Sequence, residues 1–126
     1  TAAACDGCLY VSGGWTDNWG KSPSQSVERL VLTSADMRSR GVWETIPAMA
    51  ECRGALQMTA IGGRLFVSGG CEHDFPKDSV ECCHVCKVAG ECTWNDLPPM
   101  LTARFQHAAA KVSTKLFVMG GLGRQG

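Results

Sequence analysis

The sequence has no charge bias. Twelve Lys and Arg balance twelve Asp and Glu, so the formal net charge is zero. A long-range field that would gather nucleic acid or an anionic membrane is therefore missing, and neither partner is expected. No apolar run approaches the ~20 residues that a membrane-spanning helix needs. There is no low-complexity tract, and 44% of residues are hydrophobic against 19% charged. Disorder is thus not expected, and one ordinary domain's worth of core can form. No segment shows a capped apolar stripe of 3.6-residue period, which argues against a helical fold. Neither a Gly-x-Ser-x-Gly elbow nor a phosphate-cradling glycine loop occurs. The start, Thr1-Ala2-Ala3-Ala4-Cys5, has no basic residue and no apolar stretch of signal-peptide length, so a cut inside a larger protein is expected.

Repetition is what the chain does have. Trp43-Glu44-Thr45-Ile46-Pro47-Ala48-Met49 returns 51 residues later as Trp94-Asn95-Asp96-Leu97-Pro98-Pro99-Met100. Arg53 returns as Arg104, and Leu65-Phe66-Val67-Ser68-Gly69-Gly70 as Leu116-Phe117-Val118-Met119-Gly120-Gly121. An earlier copy, Leu9-Tyr10-Val11-Ser12-Gly13-Gly14, precedes the second by 56 residues. A fixed period marks a supersecondary unit that stacks on its neighbours.

Each unit reads as four antiparallel strands. In the second, residues 55–61 and 64–69 flank Gly62-Gly63, a two-residue hairpin turn. Leu65, Phe66 and Val67 form a short continuous apolar run, as suits a strand buried on both faces. A third strand begins at Ser79-Val80-Glu81, matching Ser26-Val27-Glu28, and a fourth carries Trp94, matching Trp43. Hairpins around Met37-Arg38-Ser39-Arg40 and Val88-Ala89-Gly90 join the third and fourth strands. The expected organisation is an all-β chain of one unit at 1–49 (strands near 1–5, 8–13, 26–33 and 41–46), a second at 50–100 (strands near 55–61, 64–69, 79–86 and 91–97) and half a unit at 101–126 (strands near 106–112 and 115–120).

Four-stranded sheets of this period are propeller blades. The strand ending in Gly-Gly, the Trp on the last strand and the Pro-x-Met-x-x-x-Arg stretch together resemble the kelch motif. Here they are Gly13-Gly14, Gly69-Gly70 and Gly120-Gly121, then Trp43, Pro47, Met49 and Arg53, then Trp94, Pro98, Met100 and Arg104. The third strands depart from that motif, with Leu30 and Cys83 near the usual Tyr. Two and a half blades cannot close a ring, since propellers use ~4–8. The resemblance implies a piece of a six-bladed propeller. The remaining blades come from the same polypeptide or from other copies.

Eight cysteines are many for 126 residues, but they do not follow the period. Cys52 becomes Ala103, Cys71 becomes Leu122, and Cys82 matches Arg29. Reduced thiols in a cytoplasmic protein are therefore expected, not a disulfide framework. Cys5 and Cys8 have metal or redox spacing, yet Asp6-Gly7 between them aligns with a hairpin turn. Cys82, Cys83, His84, Cys86 and Cys92 resemble a ligand set. On an extended strand, however, alternation sends Cys82, His84 and Cys86 to one face and Cys83 to the other. Cys86 and Cys92 face each other across a hairpin, so a disulfide is also left open. No metal or cofactor is expected.

The period also sorts residues by purpose. Trp43, Trp94, Met49, Met100 and the glycine pairs recur, and read as blade core. Arg53 and Arg104 recur too, and read first as guanidinium ties to an adjacent blade. Trp15 and Trp19 break the period. They lie in the Trp15–Gln25 loop between second and third strands, and one of them can also fold back on its blade. That loop shares a face with Cys71–Asp78 and with the linkers Ala50–Gly54 and Leu101–Phe105. By resemblance this is the face that holds a peptide. Arg, His and Trp on this face suit an acidic or polar segment, while Ala55 and Gln106 stand where family arginines for acidic peptides commonly lie, which counts against capture of an acidic peptide. The expected partner contacts are Trp15, Asp17, Asn18, Trp19, Arg53, His73, Asp74, Phe75, Arg104, Phe105, Gln106 and His107. The chain is read as a non-enzymatic protein- or peptide-binding module. By resemblance it is a substrate adaptor of a cullin-type ubiquitin ligase. The alternatives are a propeller attached to an enzyme (oxidase, sugar-modifying enzyme or phosphatase) and a structural or actin-binding scaffold.

Overall fold

A computed structural model describes residues 1–32 and 41–124. The first sheet comprises β1 (Ala2–Cys5), β2 (Cys8–Ser12), β3 (Val27–Val31) and β4 (Val42–Ile46) in that order. The second begins with β5 (Gln57–Ile61) and β6 (Arg64–Ser68). Its chain then makes a small extra hairpin, β7 (Cys71–Glu72) and β8 (Phe75–Pro76), before adding β9 (Val80–His84) and β10 (Trp94–Leu97). A third unit contributes β11 (Ala108–Val112) and β12 (Lys115–Met119). All neighbours pair antiparallel. These are kelch-type blades, with β1, β5 and β11 side by side at the inner edge.

Turn chemistry sets the registers. Asp6-Gly7 and Gly62-Gly63 hold positive φ between paired residues Cys5↔Cys8 and Ile61↔Arg64, as two-residue hairpins with matching twist require. Cys5 and Cys8 are therefore cross-strand neighbours at a turn. The strand expected over 79–86 stops at His84, and Ala89–Glu91 form a 3₁₀ turn before β10 begins at Trp94. The face alternation expected for Cys86 therefore does not apply: its thiol, like that of Cys83, lies against Cys92. All eight cysteines are free. The hairpin expected around 37–40 lies outside the described residues.

Burial follows the neighbours each sheet has. In the second sheet Val80, Glu81, Cys82 and Cys83 are consecutively buried, because other units flank both faces. The equivalent β3 alternates, with Val27 and Arg29 buried and Glu28 exposed. One continuous core runs between the first two sheets, from Cys5, Tyr10, Val27, Ile46 and Met49 to Leu56, Met58, Leu65, Val67, Cys83 and Cys92. Burying such side chains contributes roughly 1.5–3 kcal/mol each.

Two polar contacts lock this seam. The Trp94 indole packs on the core, and its Nε1 donates to the Pro47 carbonyl at 2.8 Å. Arg29, itself buried, donates to Glu44 at 2.6 Å and to the carbonyls of Cys86 and Lys87 at 2.6 and 2.7 Å. It thus holds the β9–β10 hairpin against the preceding sheet. This contact breaks the period, since β9 carries Cys82 at the matching place.

Candidate interaction face

The β2–β3 and β6–β9 connections emerge at one end of the sheets, together with the inter-sheet linkers. Main-chain bonds stitch each connection to the linker that follows its sheet. Gly14 N–H donates to Arg53 O at 2.9 Å, Arg53 N–H to Ser24 O at 3.0 Å, and Ser24 N–H to Gly14 O at 2.8 Å. Met49 N–H adds a bond to Gln25 O at 3.0 Å. One unit later the same stitches join Gly70 to Arg104 (2.9 Å), Arg104 to Lys77 (3.0 Å), Lys77 to Gly70 (2.8 Å) and Met100 to Asp78 (2.8 Å). The glycine pairs make this approach feasible. Gly13 and Gly69 have φ of 58° and 57°, and a Cβ there would lie 2.6 Å from Arg53 O and 2.3 Å from Arg104 O. A side chain at either glycine would both strain the backbone and block the stitch.

Within the first loop the two tryptophans divide their roles. A β-bridge pairs Trp15 with Pro23. The Trp15 indole lies so close to Gly54 that a Cβ there would come within 2.1 Å of it. Trp15 thus folds back and keeps only 38% of its surface exposed, whereas Trp19 is 82% exposed. The loop that carries Trp19 is built, not slack. Asp17 Oδ1 accepts the N–H groups of Trp19 at 3.1 Å and Lys21 at 3.0 Å, an Asx-type turn. Thr16 bonds Ser22 O through both its N–H (2.8 Å) and its hydroxyl (3.1 Å). Hydrogen bonds from Ser22 and from the Lys21 N–H hold the Asp17 carboxyl below its ordinary range. Asn18 sits beside it at the exposed tip.

The second connection is shaped differently. His73 and Asp74 take φ of 48° and 65° at the tip of the β7–β8 hairpin and leave Phe75 exposed. A cavity of about 430 Å³ opens beside it, lined among others by Glu51, Glu72, His73, Phe75 and Lys77. Lys77 bridges Glu51 at 3.0 Å and Glu72 at 2.9 Å. Burial alone would raise the Glu51 pKa, but hydrogen bonds from Lys77 and Ser79 outweigh it and hold the carboxyl low. The Arg124 guanidinium lies 5.1 Å from the Phe75 ring centre, within cation–π range. Leu101 in the next linker is fully exposed.

Comparison with known proteins bears on what this arrangement is. The Kelch motif family matches residues 1–50. Human Kelch-like protein 33 is 31% identical over 118 residues, which cover 94% of this chain and 20% of that relative. The chain belongs to the kelch-repeat family. It spans a fifth of the length of this kelch relative. The kelch glycine pairs, Trp, Met and Arg are thus the framework on which the loops of this face stand.

Two expected contact residues of this kelch face turn inward instead. Arg53 is fully buried. Its Nε and Nη2 donate to Glu81 at 3.1 and 2.9 Å, and its Nη1 to Gly69 O at 2.7 Å and Ser79 O at 3.1 Å. Every one of these partners belongs to the sheet that Arg53 leads into, so the tie is within a blade. His107 is 3% exposed, with its Nε2 3.0 Å from Ser68 Oγ across two units. Burial, then the Arg104 charge, push its pKa below the ordinary 6.5. Arg104 is half-buried, and Phe105 makes a backbone bridge to Leu122. Gln106 is exposed, with φ of 52°. Arg29, which no motif signalled, is the seam contact that only the fold reveals. Among the described residues no group of three or more His, Cys, Asp or Glu is placed to hold a metal ion, and no helix is long and apolar enough to cross a membrane.

Proposed function

We propose that this chain is part of a kelch propeller that binds a protein or peptide through the face just described, with Trp19 as its anchor. The observation that carries this reading is a large indole held in water by a turn that Asp17 fixes from below. A stray exposed tryptophan on a slack loop would not be so supported, and exposed Trp on a preset backbone is the usual form of an interface hot spot. Phe75 and Leu101 extend an apolar contact line along the same face. Family membership supports an interaction module over an enzyme. The finer reading, which the resemblance to BTB–kelch proteins implies, is a cytoplasmic substrate adaptor of a cullin-type ubiquitin ligase.

The test is a pull-down with the full-length protein and its Trp19→Ala variant. Loss of ≥2 kcal/mol, about 30-fold in affinity, is expected for a hot spot, with the melting temperature unchanged. Partner capture at wild-type strength would remove Trp19 from the interface. Co-purification of a cullin with the same protein checks the adaptor role separately.

A further inference from the structure

Of the five prolines, Pro23 alone follows a hydroxyl residue, in Lys21-Ser22-Pro23-Ser24. Ser22 is exposed, in the loop that presents Trp19. Its neighbours Ser24 and Ser26 spend their hydroxyls on each other at 2.8 Å. Pro23 has a fixed φ and no N–H, so an enzyme that grips this segment must accept a residue without an amide hydrogen directly after the serine.

Ser22 is part of the turn that fixes Trp19. Its carbonyl accepts from the Thr16 N–H and hydroxyl at 2.8 and 3.1 Å, and Pro23 after it bridges to Trp15. Its hydroxyl donates to the Asp17 carboxylate. Asp17 Oδ1 also takes the N–H groups of Trp19 and Lys21. One carboxylate thus gathers the donors of the whole loop tip, and the posture of Trp19 depends on it. Among the described residues no cation forms an ion pair with Asp17.

We propose that Ser22 is a phosphorylation site for a proline-directed protein kinase, and that the phosphate opens the Asp17 turn and weakens the hold of this face on its partner. The serine oxygen attacks the γ-phosphorus of ATP, the bond from that phosphorus to the bridging oxygen breaks, ADP leaves with the electron pair, and the hydroxyl proton passes to the kinase's base. The product has no donor where the hydroxyl was. A group of charge about −1.5 to −2, with three acceptor oxygens, then faces a carboxylate that can only accept. The like charges part, and the N–H groups that Asp17 holds lose their acceptor. Trp19 keeps its indole but on a looser backbone, which costs affinity through ordering and not through lost contacts. The other connection, Cys71–Asp78, has no serine before its proline and keeps its shape. The effect on binding rests on the reading of Trp19 as the anchor, whereas the opening of the turn does not.

The test uses the full-length protein, treated with ATP, Mg²⁺ and a proline-directed kinase, and in parallel made with phosphoserine encoded at position 22. Mass spectrometry is expected to find kinase-added phosphate on Ser22 and none there in Ser22→Ala. Amide exchange across Trp15–Gln25 should quicken and that of Cys71–Asp78 should not. Partner capture should fall about tenfold, less than for Trp19→Ala because the indole remains. Asp17→Asn keeps an Oδ1 acceptor and removes the charge, so the same phosphate should change its loop exchange and its capture by less than about twofold. Failure of the kinase to modify Ser22, unaltered exchange in the phosphoserine protein, or equal loosening in Asp17→Asn would each overturn the proposal. Faster exchange with undiminished capture supports the opening of the turn and strikes Trp19 from the interface instead.

Discussion

Trp94 and Trp43 occupy the same position of the repeat and live in different surroundings. Trp94 packs against the core of the preceding sheet and donates to Pro47 O, whereas 52% of Trp43 is exposed. The arginines show the same contrast, with Arg53 satisfied at every nitrogen and Arg104 at one. The residue type is thus set by the repeat, but its energetic worth is set by whether a neighbour is present. Stability in a solenoid-like array is a sum of unit and interface contributions, and the two copies differ in how many of those contributions the described residues supply.

Removing the buried ion pair should break that contrast most strongly. Arg53→Met leaves Glu81 buried and uncompensated, and an expected loss of roughly 3–5 kcal/mol follows from breaking a buried pair. Arg104→Met removes about one hydrogen bond, or roughly 0.5–1.5 kcal/mol. Denaturant melts of the two variants check both numbers, and equal losses would dissolve the distinction between the two arginine sites.

The tryptophans come next. Trp94→Ala should cost about 3 kcal/mol, the low end for a large aromatic truncation because the ring is only partly buried. Trp43→Ala should stay within about 0.5 kcal/mol, as an exposed surface change does. The same melts decide it.

The smallest effect is a pH dependence at the seam with the third unit. His107 is held neutral by burial, so its folded pKa lies below the ordinary 6.5. The unfolded chain then binds the proton first, and stability present above about pH 6.5 declines as pH falls below it. Melting temperatures between pH 7.5 and 5.5 should show that decline in the wild type. They should not show it in His107→Gln. The Glu51 carboxylate, held low by Lys77, affects stability only in the more acidic carboxylate range.

The repeat made the sheets, their order and the glycine turns legible, because each copy checks the others. It also marked the loop in which Trp19 stands. What it could not show is which copy of a recurring residue is buried, since that depends on neighbouring units. His107 was therefore expected at a surface and found inside, and Arg53, read first as a tie and second as a partner contact, is a tie, made to the blade it leads into. Arg29 was missed for the opposite reason: it does not recur, and a lone arginine on a strand signals nothing until Cys86 and Lys87 arrive from the next unit. The β7–β8 hairpin escaped notice because its tip uses His73 and Asp74 where glycine or asparagine is the readable signal.

The stitches between each loop and its linker use only backbone atoms, apart from the glycines that let the chains approach. Nothing in them depends on what the loop says between its anchor points. The eleven residues of Trp15–Gln25 and the eight of Cys71–Asp78 begin and end on the same pattern of N–H and C=O groups. The face therefore behaves as a row of sockets, each able to accept a connection of another length or composition without renegotiating the sheets beneath. New binding preferences could be written into this scaffold one socket at a time.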